Sequence, residues 1–192
     1  MSPLRVLHLA SFSGNIGDNA NHMGFRPWFA EQVGREVSWS NCEIREFYWK
    51  ERAFDADFVA LANSYDALVI GGGNYFELWV ENSPTGTSIA ISPEEFDQIR
   101  TPILFNALGV DSGQGVPERS RQNFTRFLTK LLSSKQYLVS VRNDGAVDKR
   151  VFEVGVIAHD IEKTLEYTGF RPPPETPELA VPFAEGRRQV AP

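Results

Sequence analysis

Two apolar runs in this chain each break into glycine, Arg5-Val-Leu-His-Leu-Ala-Ser-Phe-Ser-Gly-Asn-Ile-Gly-Asp-Asn-Ala20 and Tyr65-Asp-Ala-Leu-Val-Ile-Gly-Gly-Gly-Asn74. Each reads as a buried strand entering a tight turn. Two such units point to an open α/β sheet, in which both turns lie outside the carboxyl ends of the strands, where that architecture places its ligands. The remaining pattern agrees. Leu4 to Ala10, Asp66 to Ile70, Pro102 to Leu108 and Tyr137 to Val141 are predicted strands, and Glu43 to Trp49 is predicted as a further one, its register set by Ile44, Phe47 and Trp49.

Helices are predicted between the strands. Asn19 to Gly34 reads as two short helices separated at Pro27, which lacks the N–H a helix interior needs, with Trp28, Phe29 and Val33 turned inward. Phe54 to Asn63 and Glu118 to Ser134 carry apolar residues at helical spacing. Ser92-Pro-Glu-Glu95 has the form of a capped helix start. A last helix is predicted over Ala146 to Val154. Regular alternation of strand and helix predicts a Rossmann-like α/β fold: an open, mostly parallel sheet with right-handed crossovers and helices on both faces.

Length allows one sizeable core within the 192 residues. Residues 1–155 are expected to form the α/β domain. Residues 156–192 are expected to add a partial α/β element and a proline-rich extended or disordered tail. A net charge of -6 argues against nucleic acid as principal partner. No apolar run approaches the length of a membrane span, and no secretory leader is apparent. The single cysteine, Cys42, suits a reducing compartment, so a cytoplasmic location is expected. Cys42 itself reads as a semi-buried strand residue.

Gly14-Asn-Ile-Gly-Asp18 offers a tight turn and a helix N-terminus, which suits an anion or sugar oxygens; Asp18 reads equally as a plain helix cap. Gly71, Gly72 and Gly73 in succession imply close approach to the main chain, by a ligand or by a neighbouring loop. Arg142, Asn143 and Asp144 follow a strand end, where the guanidinium could hold an anion or form a scaffold ion pair. His22 is placed one turn into the first helix and is a substrate-contact candidate, whereas His8 reads as a satisfied core histidine. Tyr75, Phe76 and Trp79 read as either a lid or a docking patch, within a long aperiodic stretch from Asn74 to Ala90 that resembles a binding loop. No metal-ligand spacing and no nucleophile elbow is present.

The motifs Ser-Phe-Ser-Gly-Asn-Ile-Gly-Asp-Asn-Ala, Tyr-Asp-Ala-Leu-Val-Ile-Gly-Gly-Gly-Asn-Tyr-Phe, Pro-Ile-Leu-Phe-Asn-Ala-Leu-Gly-Val-Asp and Leu-Val-Ser-Val-Arg-Asn-Asp-Gly, in that order, resemble the polysaccharide pyruvyl transferase family. The resemblance runs from Leu4 to Lys149. It implies one half of a GT-B-like pair of Rossmann-like domains, and transfer of pyruvate from phosphoenolpyruvate, as co-substrate, to glycan hydroxyls as a ketal, with no further cofactor. It also implies that Asn15, Gly17, Asp18, the turn from Gly71 to Asn74, and Arg142 to Asp144 line the cleft from the N-terminal side. The basic and acid residues for phosphoenolpyruvate belong, in that family, to a second domain. The expected partners are therefore a small-molecule or glycan acceptor and a second Rossmann-like domain or another copy of the chain; a non-catalytic sugar- or anion-binding module, or a scaffold half needing a partner chain, is the alternative.

Overall fold

A computed structural model describes residues 2–13 and 16–141. Asn15, the residues from Arg142 to Asp144, the helix predicted over residues 146–154 and the tail all lie outside the described residues. The strands are β1 (Leu4–Ala10), β2 (Val37–Glu43), β3 (Ala67–Gly71), β4 (Phe76–Glu77), β5 (Ile103–Leu108), β6 (Val110–Asp111) and β7 (Tyr137–Val141). The helices are α1 (Ile16–Val33), α2 (Ile44–Tyr48), α3 (Ala56–Asn63), α4 (Pro93–Phe96) and α5 (Glu118–Ser133).

Five strands pair in parallel in the order β2-β1-β3-β5-β7, and β4 and β6 make a separate parallel pair. The expected Rossmann-like α/β sheet is present. From β1 the chain goes first to one neighbour, β2, and then returns to the other, β3. The boundary between β1 and β3 is thus the topological switch point, and their carboxyl ends open a crevice there.

Alternation along β1 divides its side chains between two faces. Leu7 and Leu9 join Ile70, Phe105, Phe58, Phe96 and Phe127 in one buried cluster under α3, α4 and α5. His8 faces α1, with ring contacts to His22 and Phe25. Fully burying each of the large apolar side chains contributes roughly 1.5–3 kcal/mol, so the α3–α5 face supplies most of the cohesion.

The second strand lies six residues earlier than the pattern predicts. β2 covers Val37–Glu43, and the segment expected to be a strand turns into α2. Ile44 and Phe47 are both buried, and their spacing of three serves one helical turn as well as a strand. Glu43 settles the choice by accepting a hydrogen bond from the Arg45 N–H at 3.1 Å, capping the turn. Trp49, expected inward, is 64% exposed.

Pro27 does not divide the first helix, which runs unbroken from Ile16 to Val33. The proline lies on the exposed side of α1, as does Met23, so the carbonyl that loses its partner is on the side facing water. Phe29 does pack inward, 5.4 Å from Trp39, but Trp28 and Val33 are exposed. Starting at Ile16 also puts Asp18 inside the first turn and not at the cap.

The stretch from Asn74 to Ala90 is a packed element, not an open loop. Ser83, Thr85, Thr87 and Ser88 are buried, and their hydroxyls bond within the stretch, Ser83 donating to the Thr87 carbonyl at 2.6 Å and Thr85 to that of Ile89 at 2.7 Å. Asn123 and Ser120 of α5 donate to the carbonyls of Ser83 and Val80, anchoring it to that helix.

Candidate functional site

The turns after β1 and β3 meet at the switch point. Glu43, at the end of β2, organises the first: its Oε2 accepts from the N–H groups of Phe12 (2.9 Å) and Ser13 (3.2 Å), while Oε1 caps α2. Tyr75 ties the second turn to the first, its phenol oxygen accepting from the Ser11 N–H at 2.7 Å. Asn21 of α1 donates to the Gly72 carbonyl at 2.9 Å. A side chain from α1 and a side chain from the residues after β3 therefore brace each turn against the other.

Each of the three glycines has a distinct steric cause. A Cβ on Gly71 would stand 2.2 Å from the Asn106 carbonyl oxygen of β5, and one on Gly73 would meet the Tyr75 ring. Gly71 and Gly72 also have positive φ, 137° and 90°. Gly72 faces the imidazole edge of His22, its would-be Cβ 3.0 Å from Cε1 and 3.2 Å from Nδ1. The close approach inferred from sequence is thus made by the protein's own groups at all three positions. Asn74 abuts Gly109, and the Gly109 N–H donates to the Gly73 carbonyl at 3.0 Å, joining this turn to the one after β5.

Two histidines lie under the turns with defined proton positions. A guanidinium only donates, and Arg26 reaches His8 Nδ1 from Nε (3.3 Å) and Nη2 (3.1 Å). His8 therefore carries its proton on Nε2, which faces the Gly71 carbonyl at 3.2 Å. Burial, with repulsion from Arg26 and from His22 when that ring is protonated, pushes the His8 pKa down to about 3. The core-histidine reading of His8 holds. His22 places Nε2 on the Ser11 carbonyl at 2.9 Å, so this nitrogen is the donor. Its pKa is lowered mainly by burial, partly offset by that bond and by Asp18 and Glu43. The neutral ring presents Nδ1 as an acceptor at the Gly72 edge.

Arg26 itself is clamped between the rings of Phe12 (5.2 Å) and Trp39 (4.9 Å) and donates to Asn41 Oδ1. Farther out, Ser88 donates to Glu77, whose carboxyl is raised by burial and by its neighbour Asp111 across the β4–β6 pair. The Tyr48 phenol is pushed up by burial and by the Glu77 carboxylate, with a hydrogen bond to Ser88 opposing the shift.

Of the sequence-derived candidates, Asp18, His22, Gly71, Gly72, Gly73 and Asn74 come together here, with Gly17 in the exposed first turn of α1. Asn15, Arg142, Asn143 and Asp144 lie outside the described residues. Tyr75 and Phe76 are buried and Trp79 is half-buried, so these aromatics form neither a lid nor a surface patch. Sequence reasoning did not single out Arg26, Glu43 and Ala107. Ala107 has φ of 47° at a register shift in β5, beside the Asn106 carbonyl that receives the Gly72 N–H. A bulge of that kind has no local sequence signature.

Fold and turns together define a doubly wound α/β domain in which Ser11–Ser13 after β1 and Gly71–Tyr75 after β3 converge at the switch point. No family model, curated protein or solved structure matches the chain.

Proposed function

We propose that this chain is the acceptor-binding half of a pyruvyl transferase-like enzyme, acting on a glycan hydroxyl with phosphoenolpyruvate as co-substrate. The observation that carries the reading is the junction of the two motif-bearing turns at the switch point, with polar groups of α1 bracing the second turn from beneath. In the ketal-forming reaction two acceptor oxygens bond to C2 of phosphoenolpyruvate, its methylene carbon takes a proton and inorganic phosphate leaves with the other. The acceptor wall must therefore orient hydroxyls, while the donor wall must supply cations and an acid. Among the described residues Arg26 is the cation beneath these turns, and it is committed to His8 and Asn41. A second Rossmann-like domain, from the same polypeptide or a partner, would supply the donor wall and complete the GT-B-like arrangement.

Commitment of Arg26 also favours a second reading, a sugar-binding module without catalysis. The two differ in one assay. Phosphate release from phosphoenolpyruvate is measured with a glycan acceptor, for the chain alone and with a complementary Rossmann-like domain. Release only in the combined sample supports the transferase reading. Binding of the acceptor with no release in either sample supports the module and rejects the transferase.

A further inference from the structure

The inference concerns the unshared nitrogen of His22 and rests on the acceptor-side reading above. His22 is 5% exposed, yet Nδ1 makes no hydrogen bond to any described residue. Trp79 Nε1 is the buried nitrogen sealed without a partner among the described residues; His22 Nδ1 is not sealed in this way. An acceptor that a buried ring still presents to solvent takes its hydrogen bond from water, or from a ligand hydroxyl that displaces the water. The ring cannot turn away from this, because Nε2 is fixed on the Ser11 carbonyl at 2.9 Å and the ring stacks edge-on to His8 at 4.8 Å.

We infer that His22 Nδ1 accepts a hydrogen bond from a hydroxyl of an uncharged ligand at the solvent-reachable rim of the His22–Gly72 contact, and that His22 decides which ligands this wall takes. A lone pair selects a donor, and a sugar hydroxyl is one, whereas a phosphate or carboxylate oxygen carrying negative charge is not. The surroundings add to the discrimination. Asp18 and Glu43 lie within electrostatic reach of His22, with Arg26 the opposing charge. Asp18 sits in the first turn of α1, where it already complements the positive helix end that an anion would otherwise use. The start of α1 thus favours hydroxyl recognition over anion capture.

The test uses the full chain, with the side-chain nitrogens of its histidines labelled. Methyl glycosides and the corresponding sugar phosphates are titrated while the imidazole ¹⁵N shifts are followed, and affinities are measured by calorimetry. The expected result is that an uncharged glycoside shifts His22 Nδ1, that the phosphate ester of the same sugar binds at least about tenfold more weakly, and that His22→Phe weakens glycoside binding about tenfold or more. His22→Gln, which restores an amide acceptor, should retain binding within about threefold. Glycoside binding that leaves the His22 ring unmoved would overturn the inference and leave the acceptor reading standing. So would equal or tighter binding of the phosphate ester. Absence of any glycoside binding overturns the inference, and the phosphate-release assay then decides the transferase reading separately.

Discussion

The two faces of the large sheet are built from opposite chemistry. Toward α3, α4 and α5, β-strand residues such as Leu7, Leu9, Ile70 and Phe105 meet phenylalanines in an apolar cluster. Toward α1, His8 takes the position beside Val6 and meets His22, Arg26, Phe25 and Trp39. Apolar packing is tolerant and cohesive; a buried polar network is stable only when its partners are all in place. The α1 face therefore fixes proton positions and side-chain directions beneath the turns, while the other face holds the domain together. Two histidines whose tautomers follow from their neighbours are the product of that division.

The contrast can be broken most forcefully by acid. His8 is neutral in the fold with a pKa of about 3 against an ordinary 6.5, so between those values the unfolded chain binds the additional proton. Stability should fall as pH drops through that window, by on the order of 5 kcal/mol in total. His8→Gln can keep both hydrogen bonds and should flatten the slope in chemical-denaturation curves taken from pH 7 to pH 3. An unchanged slope would move the acid sensitivity to the carboxylates.

On the opposite face Phe105→Ala should cost about 3–5 kcal/mol at all pH values, since a fully buried ring leaves a cavity. Its pH slope should match that of the unmutated chain. A loss that grows sharply with acid would mean the two faces are coupled. At the boundary between them, Gly71→Ala places a Cβ against the Asn106 carbonyl and in a left-handed backbone region. A loss of about 1–3 kcal/mol is expected, together with displaced amide resonances for Gly72 and His22. The smallest effect belongs to Ser92→Ala, about 1 kcal/mol, because Ser92 Oγ caps the Glu95 N–H at 3.1 Å on the apolar side. Resonances of the histidines should not move.

Much of this architecture is legible in the sequence where a local signal is strong. The continuous apolar runs of β1, β3, β5 and β7, the stripe of Phe124, Phe127, Leu128 and Leu131 on α5, and the Ser92 cap all lie where the pattern puts them. The signal fails where tertiary contacts decide. β2 borders the sheet among the described residues and carries Ser38, Ser40 and Asn41, so it lacks an apolar signature, while Ile44 and Phe47 imitate one. Pro27 survives in α1 because it faces outward, which composition cannot reveal. At the site, the two glycine turns and His22 are legible as candidates. Their junction is not, because the contact of His22 with Gly72 spans fifty positions and depends on strand order, as do the Glu43 and Tyr75 struts.

The proposed ligand-binding wall is at the carboxyl ends of β1 and β3, on the α1 side of the sheet. Its most direct test is a map of backbone amide shifts across the chain as an uncharged glycoside is added. Perturbations confined to Ser11–Ser13, Asn21–His22 and Gly71–Tyr75 are expected. Perturbations centred instead on the groove between α3 and α4, lined by Val59, Asn63, Asp97 and Arg100, would contradict it.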